Sequence, residues 1–191
     1  MKDCIDVYEE AFSAEDCKWF IEQYHELQKQ SIMVNSSIDN HKVDHVEANL
    51  HHFYHLPAWS SIGTKFFDGL TPLLKDYAET YSILGNVPLM YYDVKVKKIP
   101  PGGGYHAWHF ENSALVSASR MTVVQLYLNT IDEGGETEFL YMNKRIPAVE
   151  GRVVIFPSAY PYTHRGNPPI GQTKYILTTW GICNQNERTK L

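Results

Sequence analysis

From Leu89 onward this chain breaks into short apolar and β-branched runs separated by glycine and proline, and that punctuation limits the fold more than any other feature. Tyr92-Asp93-Val94-Lys95-Val96-Lys97 alternates as a half-buried strand does. Pro100-Pro101-Gly102-Gly103-Gly104 is a turn, and Met121 to Leu128 is a β-branched and apolar run. Gly134-Gly135 marks another turn, followed by strand patterns at Thr137–Met142, Arg152–Phe156 and Tyr175–Trp180. Many short strands at regular spacing specify a barrel or jelly roll, because such folds hide strand edges by closing the sheet or doubling it.

The first half has a different texture. Ile5-Asp6-Val7-Tyr8 reads as a short opening strand. Ser13 is a fitting N-cap with Glu15 and Asp16 in an acidic first turn. Cys17, Phe20, Ile21, Tyr24 and Leu27 then recur at helical spacing, which predicts an amphipathic helix over 14–30. Residues 31–50 are polar and read as an extended loop with a strand near Val46–Leu50. Pro57 suits the first turn of a long helix reaching about Tyr81, bent or broken near Gly69 and Pro72. Leu84-Gly85-Asn86 reads as its stop. Helices first and strands later make the class α+β: N-terminal helices packed on one sheet of a double-stranded β-helix (jelly-roll) core. The expected organisation is one domain over 1–191, with 1–88 mainly helical support and 89–183 the jelly-roll core.

Composition narrows the function classes. Hydrophobic residues are 43% and charged residues 20%, the balance of a soluble globular chain. No apolar run reaches the ~18 residues of a membrane span, and Met1 to Asp6 lacks a signal peptide's apolar stretch. Cys4, Cys17 and Cys183 are odd in number and far apart, so a cytoplasmic setting is expected rather than a disulfide framework. The net charge of −5 disfavours a broad nucleic-acid surface.

Chemistry concentrates in His109-Phe110-Glu111, His164 and Lys174. Two imidazoles and a carboxylate are the ligand set of a facial iron(II) site, which leaves positions open for oxygen and a co-substrate. Residues two apart on a strand share a face, so His109 and Glu111 are expected to point inward together. The third ligand has to arrive from a returning strand, and His164 is placed for it. Lys174, ten residues on, could offer a cation to a co-substrate's far carboxylate. A lone His-x-Glu says little in a chain with nine histidines. His106 is a rival first ligand, but no carboxylate lies two residues after it. His41, His45, His51, His52 and His55 form a dense run without a cysteine, short of the ordered ligands a closed zinc site needs. Lys95, Lys97 and Lys98 form a small basic cluster on one strand, with Lys95 and Lys97 sharing a face; they read as solvated lysines, with attraction of an acidic peptide as the alternative.

The motifs around these residues carry a resemblance. They are Gly104-Tyr105-His106-Ala107-Trp108-His109-Phe110-Glu111, the run from Arg120 through Tyr127 to Asn129, Gly134-Gly135-Glu136-Thr137-Glu138-Phe139, Gly151 to Pro157, and His164 followed by Thr173 to Trp180. Together they resemble the iron(II)- and 2-oxoglutarate-dependent dioxygenases of the prolyl 4-hydroxylase type, nearly throughout the chain and most densely from Tyr91 to Trp180. The resemblance implies His109, Glu111 and His164 as iron ligands and Lys174 as partner of the distal carboxylate of 2-oxoglutarate. It implies that the Tyr127 hydroxyl contacts the same carboxylate, with Gln125, Thr137, Thr178 and Trp180 as further pocket residues. The cofactor and co-substrates would be Fe(II), 2-oxoglutarate and O2, with ascorbate as a reductant. The expected reaction is hydroxylation of an unactivated C–H bond, foremost a prolyl residue of a peptide or protein, with release of succinate and CO2. The family usually has Asp where this chain has Glu111, and 2-oxoglutarate oxygenases with free amino-acid substrates use Glu there. A free amino acid or small metabolite is therefore the alternative substrate, and a catalytically silent jelly-roll binder the alternative class. By the same analogy the segment over 31–56 lies on the substrate side. Tyr175 to Thr179 holds none of the arginines of the nucleic-acid demethylase branch. The expected partners are thus a peptide, protein or small-molecule substrate, not nucleic acid or membrane.

Overall fold

Alternation along the strands decides where everything sits in the computed structural model, which describes residues 2–30, 34–36, 43–49, 57–91 and 93–183. The strands are β1 (Asp6–Tyr8), β2 (Val34–Ser36), β3 (Val43–Asn49), β4 (Leu89–Tyr91), β5 (Lys95–Ile99), β6 (Gly104–Tyr105), β7 (Arg120–Tyr127), β8 (Thr137–Phe139), β9 (Lys144–Ile146), β10 (Val153–Pro157), β11 (His164–Gly166) and β12 (Lys174–Cys183). The helices are α1 (Ala14–Lys29) and α2 (Pro57–Thr80). The larger sheet runs β1-β10-β7-β12-β5-β3-β2, with β4 beside β12 and β6 beside β3. The smaller runs β11-β8-β9. All the strand pairs are antiparallel, and the two sheets make the jelly roll that the strand punctuation predicts.

One face of the large sheet meets the helices. Val94, Val96, Val124, Leu126, Val153, Ile155 and Leu177 turn that way. They pack on Cys17, Phe20, Tyr24 and Leu27 of α1 and on Ile62, Phe66, Leu70 and Tyr77 of α2. The opposite parity faces the jelly-roll interior: Ile99, Val123, Tyr127, Val154, Phe156, Ile176 and Trp180 cluster there with Phe139 and Ile146 of the small sheet. A one-residue slip in β7 or β12 would exchange the two faces, so burial on both sides holds the register.

Both helices begin near where their sequences predict. Ser13 accepts from the Asp16 N–H at 3.1 Å, and the Asp16 carboxylate accepts in return from the Ser13 N–H at 3.4 Å, a capping box. The predicted break at Gly69 and Pro72 does not occur, since α2 is one continuous helix. Gly69 has a packing role instead: a Cβ there would lie 2.5 Å from the Phe12 ring, so the missing side chain is the seat for that ring. The strand expected near Val46–Leu50 is present as β3, which begins earlier, at Val43, and the short strand β2 precedes it where loop was expected. β2 and β3 pair with each other, and β3 continues the large sheet beside β5. The polar residues of β3 are partnered inside the cleft, where His45 Nε2 and Glu47 Oε2 lie 3.0 Å apart. His41, His51, His52 and His55 lie outside the described residues.

Candidate active site

His109 and His164 face each other across a single antiparallel bridge. Each backbone N–H donates to the other's carbonyl, at 3.0 and 2.8 Å. The expected regular strand through Glu111 is absent: Glu111 lies in a turn after the bridge, where its N–H donates to the Ser158 carbonyl at 3.1 Å. That one bridge suffices, because a hydrogen-bonded antiparallel pair sends both side chains to the same face. The imidazole centroids are 4.4 Å apart. Glu111 Oε1 lies 3.5 Å from His109 Nε2 and 3.6 Å from His164 Nε2, and the three ligand atoms fall within 4.8 Å of one another.

The orientation of each group suits a metal. His109 Nδ1 is 2.9 Å from the Ala107 carbonyl and His164 Nδ1 is 2.9 Å from the Tyr162 carbonyl. A carbonyl only accepts, so each Nδ1 carries a proton and each Nε2 is turned toward Glu111. The second Glu111 oxygen is anchored: Oε2 accepts from Trp180 Nε1 at 2.9 Å and from Arg120 Nη1 at 3.0 Å. Arg120 stacks on the Trp180 ring, 3.9 Å from its centroid, and reaches Asp93 at 3.5 Å. Burial would raise the Glu111 carboxyl, but hydrogen bonding and charge from His109 and His164 hold it well below the usual carboxylate range. The glutamate is therefore ionised with one oxygen free for a cation. The longer reach of Glu compared with Asp is taken up by the Trp180 and Arg120 contacts.

Two connected spaces open from the triad. The inner chamber is lined by Gln125, Thr137, His164, Lys174, Ile176 and Thr178, together with Ile99 and Val123. On β12, Lys174, Ile176 and Thr178 alternate onto the chamber side. Lys174 is 2% exposed and donates to the Gly135 carbonyl at 2.6 Å. Gly135 reaches that position at φ +73°, a turn conformation that favours glycine. Burial, and then repulsion from Lys97, pushes the Lys174 ammonium down to about 7, with Glu136 opposing. A buried cation with one neutral acceptor fits an anionic guest. Tyr127 lies beside Lys174 and Thr137. It is fully buried, its hydroxyl donates to Thr137 Oγ1 at 2.7 Å, and its ring lies 5.0 Å from Lys174 Nζ. It therefore backs Thr137 and Lys174 and is not a chamber wall. Trp180 likewise lies on the outer side, as the anchor of Glu111.

The outer cleft, about 260 Å³, is lined by His45, Glu47, Lys95, Lys97, Tyr105, Phe110, Arg120 and Trp180 beside His109 and Glu111. Sequence reading left most of these out. Lys95 and Lys97 are not solvated surface lysines, since both turn into the cleft. Their parity with Ile99, opposite core residues Val94 and Val96, was the available signal. His106 lines a separate hollow with Arg165, Asn167 and Pro168, away from the triad.

Residues 94–181 match the family model of the 2OG-Fe(II) oxygenase superfamily. That region, just under half of the chain, holds the triad and Lys174, and there the chain is similar to the oxidoreductases of this superfamily. No curated relative matches the sequence. Among solved structures the fold is similar to a prolyl hydroxylase from Trichoplax adhaerens in complex with a hypoxia inducible factor oxygen degradation domain peptide fragment (TM-score 0.74, 17% identity, 95% of this chain and 84% of that one). It is also similar to a Pseudomonas putida prolyl-4-hydroxylase (TM-score 0.72, 16% identity, 95% and 93% covered). A third likeness is the viral collagen prolyl hydroxylase of Paramecium Bursaria Chlorella virus-1 (TM-score 0.67, 16% identity, 95% and 97% covered). The matched family implies Fe(II), 2-oxoglutarate and O2.

Proposed function

We propose that the chain is a dioxygenase that hydroxylates an unactivated C–H bond, foremost of a prolyl residue in a peptide or protein, with release of succinate and CO2. The observation that carries this reading is the pairing of a locked His109–Glu111–His164 ligand set with a chamber ending in the buried Lys174 ammonium. Bound iron(II) with 2-oxoglutarate and O2 would supply the oxidation. The residues do the rest. His109, Glu111 and His164 hold the metal on one face, and Trp180 and Arg120 keep Glu111 turned toward it. Lys174 pairs with the distal carboxylate of 2-oxoglutarate, beside Thr137, Thr178 and Gln125. Ile99, Val123 and Ile176 keep the chamber apolar and limit water.

A second reading takes a free amino acid or another small metabolite as substrate. Glu111 in the triad and the charged lining of the outer cleft favour it. Ascorbate would serve as reductant in either case, and the three free cysteines fit a reducing cytoplasm. The test is anaerobic loading with iron(II), followed by calorimetric titration of 2-oxoglutarate and then succinate release on addition of O2 and substrate. Binding of 2-oxoglutarate only in the presence of metal is expected. No binding after iron loading would reject the dioxygenase. Turnover of proline-containing peptides separates the first reading from the second, which requires turnover of free amino acids.

A further inference from the structure

The outer cleft holds more cationic charge than its own acids answer. Lys95 donates to Glu47 Oε1 at 2.8 Å, and the other Glu47 oxygen is taken by His45 Nε2 at 3.0 Å. Arg120 is divided between Glu111 and Asp93. Lys97 stands between these pairs. It is half-buried, it borders both the outer cleft and the inner chamber, and it makes no hydrogen bond or ion pair with any described residue. Its neighbours in register are Glu47 on β3 and Ile176 on β12. Glu47 and Glu111 reach it only through their field, and burial outweighs them, lowering its affinity for its proton. Lys174 has its own place deeper in the chamber, opposite Ile99, so the two lysines are separate anion seats on adjacent strands.

Charge balance says what the second seat is for. On the dioxygenase reading, an iron dication, the dianion of 2-oxoglutarate, Glu111 and Lys174 sum to neutrality. Lys95 with Glu47 and Arg120 with Asp93 cancel as well. Among the described residues one positive charge then remains, on Lys97, beside the triad and bordering the outer cleft. An unpaired ammonium in a partly desolvated cleft is costly unless an anion meets it. We propose that Lys97 is a specificity-determining residue: the substrate carries a carboxylate that pairs with it, while an adjoining C–H bond is presented to the metal. This rests on the dioxygenase reading and adds the class of substrate to it. Two sources of that carboxylate fit, the α-carboxylate of a free amino acid and an Asp or Glu side chain beside the target residue of a peptide.

The test uses the full chain loaded anaerobically with iron(II) and 2-oxoglutarate, with binding read by calorimetry. One set of probes is free L-amino acids and their carboxamides. The other is proline-containing peptides with Asp or Glu beside the proline, each matched to its Asn or Gln version. In at least one set the carboxylate form is expected to bind about tenfold or more tightly than its amide, and the set in which this occurs identifies the source. Lys97→Met and Lys97→Gln should abolish that preference and Lys97→Arg should retain most of it, and at about pH 6, where Lys174 keeps its proton with or without Lys97, 2-oxoglutarate affinity should stay within about twofold of wild type in all three. Equal binding of acids and amides in both sets overturns the proposal, and so does the absence of probe binding to wild type that binds 2-oxoglutarate. A preference that survives Lys97→Met overturns it too, as does a loss confined to 2-oxoglutarate, which would assign Lys97 to the co-substrate. If wild type itself fails to bind 2-oxoglutarate, the dioxygenase reading falls first and this inference with it.

Discussion

Three side chains carry separable duties at the site, and each can be tested by itself. Lys174 is the cation of the inner chamber, so Lys174→Ala should raise the apparent KM for 2-oxoglutarate while iron binding survives. Removing one partner of a buried ion pair costs about 2–5 kcal/mol, which is roughly 30-fold or more in affinity. Steady-state kinetics with a parallel metal assay checks this, and an unchanged KM would assign the distal carboxylate to another residue. The same lysine sets a pH dependence. Its ammonium, pushed down to about 7, keeps its proton below that pH and loses it above. A carboxylate guest favours the charged form, so 2-oxoglutarate should bind best below about pH 7 and progressively more weakly as the pH rises past it. Calorimetry between pH 6 and 9 reads the slope, and tighter binding at the alkaline end would contradict the assignment. Trp180 acts through Glu111. Trp180→Phe keeps an aromatic ring beneath Arg120 but removes the indole N–H on Oε2. Loss of such an outer partner typically weakens metal binding about 10- to 100-fold, measurable by competition with a chelator.

At the scale of elements, α2 shows how one missing side chain sets the seating of a helix. Gly69 costs the helix roughly 1 kcal/mol of propensity relative to alanine. Gly69→Ala would nonetheless destabilise the protein by about 1–3 kcal/mol, because the new Cβ has to displace the Phe12 ring, itself packed on Phe20 and Phe66. Denaturant unfolding decides the sign, and a stabilised variant would mean that the ring yields easily. Element types were legible where a period was strong. α1 was announced by its cap and its i, i+3, i+4 apolar stripe, and β7, β10 and β12 by their apolar runs. β3 was legible only in its second half, near Val46, and its place in the sheet was not, because its inward residues are polar and its partner β5 is distant in the chain. Nor was the continuity of α2, since the periodicity around Gly69 and Pro72 cannot reveal that a phenylalanine from another segment fills the gap.

Across the whole molecule, the triad ties together segments that the chain keeps far apart, so ligand binding and stability should be coupled. Saturation with iron(II) and 2-oxoglutarate at about a hundred times Kd should add about 2.7 kcal/mol and raise Tm by roughly 5–10 °C, reversed by chelation. A Tm indifferent to metal would argue against the triad as a binding site. The amino-acid sequence by itself determined the inventory: the ligand types in His109, Glu111 and His164, the cation of Lys174, and the strand periods that can only be buried in a doubled sheet. Those are properties of residue type and short-range spacing. Tertiary structure decided which atoms meet. It set His109 opposite His164 through one bridge, turned Trp180 and Arg120 onto Glu111, placed Tyr127 behind Thr137, and brought Lys97 into the cleft with no partner among the described residues. Such contacts depend on register and on the packing of distant strands, and neither is written in any local stretch of the chain.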